Sequence, residues 1–66
     1  MLKSEADKLA RRVRRDGFDA VLVYRDGDYS PWVVRVEVGA VIADLETPRQ
    51  WAEQRETLAA MRGTVS

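Results

Sequence analysis

The sequence predicts a small α+β domain, a two-layer sandwich of α-β-β-α order in which two helices cover one face of an antiparallel sheet. Three observations predict it. Apolar residues recur at helical spacing near both ends of the chain. Between them lie two segments with the alternation expected of strands. Glycine, proline and aspartate fall at the joints. With 66 residues the chain has material for one domain, 1–66.

The first helix is predicted over 4–16. Leu2, Ala6, Leu9, Ala10 and Val13 form one apolar stripe along it. Ser4 or its neighbour is expected to cap its start, and Gly17 to end it in the left-handed conformation. The first strand follows over 18–25. Phe18, Ala20, Leu22 and Tyr24 share one side, and Asp19, Val21, Val23 and Arg25 the other. Asp26-Gly27-Asp28 signals a turn.

The second strand is predicted over 32–38, where Trp32, Val34, Val36 and Val38 alternate with Val33, Arg35 and Glu37. Pro31 lacks an amide hydrogen and so belongs at a strand start or edge. In a hairpin with Leu22 opposite Trp32, Ala20 meets Val34, Phe18 meets Val36, and Asp19 pairs with Arg35 on the far face. Gly39 then bends the chain or allows a bulge. Residues 40–44 continue the strand or form a short third one, so the sheet has two or three strands. The last helix is the best signalled, over 48–62. Thr47 stands at the N-cap, Pro48 at the first helical position, Gln50 where a capping box needs it, and Gly63 at the predicted end.

Lysine plus arginine and aspartate plus glutamate balance at 11 each, which argues against a surface that is one polyanion-binding field. The chain has no cysteine and no histidine. That removes disulfides, zinc–thiolate sites and the usual general base. Ser4, Ser30 and Ser66 therefore have no imidazole to activate them, and Lys3 and Lys8 read as solvated. No glycine-rich phosphate loop is present. Asp26 and Asp28, with Asp19 nearby, read as turn residues and not as cation ligands. The sequence thus predicts a protein that is not an enzyme and uses no cofactor, metal or small-molecule substrate. No signal peptide or membrane-spanning run is read, which leads to an expected cytoplasmic location. Arginine dominates the basic residues and asparagine is absent, a composition expected of a bacterial or phage genome.

A domain of this size buries only about 60% of the surface of its unfolded chain and usually needs a staple. Here the composition leaves oligomerisation. Val21, Val23 and Val33 fall on the sheet face away from the helices, a face that is normally polar. In the last helix Trp51, Leu58 and Met61 form a stripe interrupted by Arg55 and Arg62. Either these arginines lay their stems on the core, or Arg55 pairs with a carboxylate of a partner, or with Glu37 or Asp44 of its own chain. Val21, Val23, Val33, Trp51, Arg55 and Arg62 are accordingly the expected protein interface. Sheet-edge addition is a second expected mode of contact.

Lys8, Arg11, Arg12 and Arg15 fall within roughly a 100° arc of the first helix, at about 3.6 residues per turn. They read either as an ordinary solvated face or as a phosphate-contacting one, with Glu5, Asp7 and Asp16 at its border. The leading expectation is a non-enzymatic protein–protein interaction module that forms a homodimer and binds a further, unidentified protein. The alternative is a nucleic-acid-binding protein using those four residues. A third reading is an enzyme subunit or regulatory fragment that acts only within a complex.

The run Ala6…Leu9-Ala10…Gly17-Phe18-Asp19-Ala20-Val21, followed by Trp32-Val33-Val34-Arg35-Val36 and Gly39, resembles the middle of SPOR domains. Those are bacterial modules that bind peptidoglycan glycan strands. The resemblance implies a helix, glycine, strand, turn, strand order. The opening strand of that family has no counterpart here, and the same residues fit a generic half of a split α/β layer.

Overall fold

A computed structural model describes residues 1–26 and 31–64. The order is α1 (Lys3–Arg15), β1 (Asp19–Tyr24), β2 (Trp32–Val38), β3 (Val41–Leu45) and α2 (Pro48–Thr64). The three strands form one antiparallel sheet in sequence order. The third strand therefore forms separately and does not extend the second. α1 packs on β1 and β2, and α2 packs on β2 and β3.

α1 begins two residues earlier than a Ser4 cap predicts. Leu2 is the N-cap, without a side-chain cap bond, and Ala6 N–H donates to Leu2 C=O at 2.9 Å. Ser4 thus lies inside the first turn. The other end follows the sequence reading closely. Gly17 takes φ +91°, its N–H donates to Arg14 C=O at 3.0 Å, and Phe18 N–H donates to Val13 C=O at 3.2 Å. These two bonds make a Schellman motif, and both Val13 and Phe18 enter the core.

The hairpin register differs from the expected one by two residues. Tyr24 lies opposite Trp32, Leu22 opposite Val34 and Ala20 opposite Val36. A two-residue slip keeps every side chain on its own face, so apolar patterning could not separate the alternatives. Cross-strand fit decides it. Tyr24 and Trp32 meet edge to face at 5.3 Å, and Arg25 N–H donates to Pro31 C=O at 2.8 Å. Arg25 thus meets Pro31, and not Tyr29 as the expected register has it. The predicted Asp26-Gly27-Asp28 turn lies largely outside the described residues. On the far face Asp19 now meets Glu37, and Arg35 meets Val21. Gly39 at φ +58° opens the two-residue turn between β2 and β3, with Val38 opposite Val41. A positive φ at the first central position only is the sign pattern of a type II′ hairpin turn.

α2 does not stop at Gly63; the helix runs through it to Thr64. The capping box is also shifted. Gln50 N–H donates to Thr47 C=O, but the Gln50 side chain accepts from Glu46 N–H, one residue before the position the motif predicts.

The core joins Ala6, Leu9, Ala10 and Val13 of α1 to Ala20, Val34, Val36, Val38 and Leu45 of the sheet. Phe18, Trp51 and Leu58 close it. Among the described residues it contains no polar or charged side chain. Burial of each large apolar side chain contributes about 1.5–3 kcal/mol. α2 is held by few such residues: among its described side chains only Trp51 and Leu58 are buried apolar anchors. A clasp supplements them. Trp51 Nε1–H donates to Asp16 at 3.0 Å, and its ring meets Phe18 edge to face at 5.2 Å. Arg62 donates to Gly17 C=O at 2.7 Å while its guanidinium lies 4.2 Å over the Phe18 ring.

Candidate protein-interaction surface

The sheet face opposite the helices is built in rows by the strand register. Asp19, Glu37 and Ile42 make one row, and Val21, Arg35 and Asp44 the next. Val23 and Val33 make the third. A charge network starts in the second row and reaches past the third to Arg25 and Glu46 at the strand ends. Asp44 accepts from Arg35 at 2.9 Å and from Arg25 at 2.9 Å, and Arg25 also reaches Glu46 at 3.3 Å. Arg25 follows β1 and Asp44 belongs to β3, so this bond passes over β2. Adjacent strands are about 4.8 Å apart, and the Arg25 stem must cross the β2 residue between them. That residue is Val33, which is 4% exposed although no helix covers it.

This arrangement corrects two expectations. Val33 presents almost no surface, so it is not an accessible interface residue; the chain's own arginine stem covers it. Asp44 pairs with Arg25 and Arg35, not with Arg55. The Asp44 carboxyl is held below its ordinary value, chiefly by the hydrogen bond from Arg35; burial opposes this, and the Arg35 charge and then the hydrogen bond and charge of Arg25 add to the lowering. Arg35 is correspondingly raised by its hydrogen bond to Asp44. Val23 is half-buried, whereas Val21 and Ile42 stand out at 46% and 60% exposure.

The two sheet edges differ. Arg25–Pro31 is a bonded pair, so by alternation Val23, Val21 and Asp19 also bond to β2. Ala20, Leu22 and Tyr24 then point their backbone groups away from it. Arg14 closes part of this edge by donating twice to Ala20 C=O, at 2.8 and 3.2 Å. On the other side Trp32 exchanges backbone bonds with Met1, at 2.9 and 3.1 Å. By the same alternation Val41, Ala43 and Leu45 bond to β2. Ile42 and Asp44 therefore point their backbone groups outward from β3. Among the described residues nothing covers that edge.

The other expected interface residues lie on α2. Trp51 is 1% exposed and belongs to the core, which corrects its reading as a contact residue. Its apolar bulk made it stand out in the sequence, and the same bulk fills the corner formed by Asp16 and Phe18. Arg62 is engaged within the chain, and Arg55 is exposed. Sequence reasoning missed Ile42 and Arg14. Ile42 fell in a segment whose strand status was open, and Arg14 was indistinguishable from its basic neighbours.

Lys8, Arg11, Arg12 and Arg15 are all exposed, and none is held in an ion pair among the described residues. α1 carries six basic and two acidic residues, and the rest of the chain five and nine. The neutral total thus hides a strong separation of charge. A shallow groove lined by Glu5, Lys8, Leu9, Arg12 and Pro48 lies beside this face. It is open and mostly apolar, and offers no convergent polar groups for a small ligand.

No family model, curated protein or solved structure matches this chain. The SPOR resemblance thus rests on the local run of residues alone. Among the described residues no cluster of three acidic side chains is placed to hold a metal, and no helix is long and apolar enough to cross a membrane.

Proposed function

We propose that this protein is a non-enzymatic interaction module of the bacterial or phage cytoplasm that self-associates and presents its sheet to protein partners. One observation carries the reading: among the described residues the sheet is covered on one side only, and its uncovered side exposes Val21 on β1 and Ile42 on β3, the latter on an edge that no described residue covers. The surface area supports it. The chain exposes 4680 Å², whereas a compact monomer of 7.5 kDa has about 4,200 Å². Light scattering across a dilution series tests it. A mass that rises from one to two chains with concentration is expected. A single-chain mass up to millimolar concentration refutes it.

A second reading has its own support. Four exposed, unpaired cations on one helix face suit a phosphate backbone. Nucleic-acid binding through Lys8, Arg11, Arg12 and Arg15 predicts saturable binding to a random duplex that weakens as salt rises, with a log–log slope of about −0.9 per phosphate contacted. Undetectable binding at low salt removes this reading.

A further inference from the structure

The open β3 edge allows the self-association to be specified, and this step rests on the reading just given. We propose that two copies pair β3 against β3′, antiparallel about a two-fold axis, to make one six-stranded sheet with Ile42 opposite Ile42′.

The edge is the first reason. Exposed edges are normally blunted by a charge, a proline, a bulge or a covering segment. β1 has such a device in Arg14, whose guanidinium occupies Ala20 C=O. β3 has the sequence Val-Ile-Ala-Asp-Leu, with no proline and one charged side chain. That side chain, Asp44, is already neutralised by two arginines of its own chain. The charge that would repel a second copy is therefore spent internally.

The register follows from which groups face outward. Ile42 and Asp44 offer backbone bonds to a partner, so outward residues must meet outward residues. Asp44 opposite Asp44′ would crowd two side chains already held by Arg25 and Arg35 and would leave Ile42 without an apolar partner. Ile42 opposite Asp44′ would leave an exposed apolar side chain beside an occupied carboxylate. Ile42 opposite Ile42′ joins, from each copy, the most exposed large apolar side chain among the described residues. It also sets Val41, itself 40% exposed, against Ala43′ on the helix side.

The helices permit this closure. α2 packs over β2 and β3. With strands about 4.8 Å apart, α2 and α2′ would lie about 9–10 Å from each other across the axis, an ordinary helix packing distance. Arg62 points to Gly17 on the α1 side, and Gln50 points to Glu46 at the end of β3. Continuing at helical spacing from Gln50, the flank above the β3 edge carries Gln54, Thr57 and Met61. This flank has no charge, whereas the rest of the exposed helix carries Arg49, Glu53, Arg55 and Glu56.

Cysteine scanning tests the geometry, because the parent chain has none. Opposed residues on antiparallel strands lie about 5.5 Å apart at Cα, within disulfide range. Ile42→Cys is expected to form a covalent dimer under mild oxidant, while Val21→Cys, two strands from the axis, stays reduced. Ile42→Lys supplies the missing edge charge at a 60% exposed site. It should shift the dimer constant at least tenfold toward monomer with an unchanged circular-dichroism spectrum. If the parent dimerises but Ile42→Cys does not cross-link, edge pairing is overturned and self-association stands. The same holds if Ile42→Lys dimerises as the parent does. If the parent is monomeric at millimolar concentration, both readings fall.

Discussion

Replacing Gly17 with alanine should cost more than the loss of a loop glycine, and the structure says why. Gly17 sits at φ +91°, in the left-handed region, where an L-residue costs about 1–2 kcal/mol. Its added Cβ would also come within 3.0 Å of Arg62 Nη1. The guanidinium can swing away, but it then leaves both Gly17 C=O and the Phe18 ring. An exposed cation–π contact is worth about 0.5–1 kcal/mol, and a hydrogen bond to the backbone a similar amount. Gly17→Ala is therefore expected to cost about 2–3 kcal/mol, and Arg62→Ala about 1 kcal/mol. A domain of this length has a total stability of only about 3–10 kcal/mol. Urea denaturation of the two single variants and the double variant separates the terms. Because Gly17→Ala already displaces Arg62, the double variant should fall short of the summed costs by about 0.5 kcal/mol or more. A Gly17→Ala variant as stable as the parent would falsify the left-handed joint, and strict additivity would remove the Arg62 clasp from the argument.

Three further outcomes are expected. Trp51→Ala should lose about 3–5 kcal/mol, most of the domain's stability, and leave α2 poorly docked; a cooperative unfolding transition near the parent's midpoint would show that the clasp is dispensable. Acid should weaken the outer face through Asp44. Its folded-state pKa lies below the ordinary value of 3.8, so its pairing with Arg35 and Arg25 stabilises fully above the unfolded value and is lost as pH falls through the folded one. Asp44→Asn should therefore flatten the acid limb of the stability curve, and an unchanged limb would mean that other carboxyls control it. Changing Lys8, Arg11, Arg12 and Arg15 together to glutamine should leave the fold and the light-scattering mass unaltered, since none of the four is paired; a loss of the dimer in that variant would place the interface on α1 instead of β3.

The legible parts of this protein were those governed by local chemistry. Apolar spacing placed α1 and α2, and alternation placed β1 and β2. The need for positive φ identified Gly17, and Gly39 was legible only as a bend or bulge; the positive-φ rule misled at Gly63, because a glycine inside a helix has nothing in its local sequence to distinguish it from one that ends it. Faces were legible as well, since period-two patterning assigns each strand residue to a side.

What the pattern could not carry was any quantity unchanged by moving two residues along a strand or by filling a corner from afar. The Tyr24–Trp32 fit set the hairpin register, which in turn moved Asp19 from Arg35 to Glu37. Trp51 and Arg55 look alike as candidate contacts along one helix, yet only the docking of α2 on Asp16 and Phe18 buries the first and leaves the second in water. Val33 and Val21 share a face by sequence, but only Val33 lies where the Arg25 stem must cross to reach Asp44. Local residues thus determined which elements form and which side each presents. Tertiary packing alone decided which of those sides remain exposed, because burial depends on what the rest of the chain lays across them.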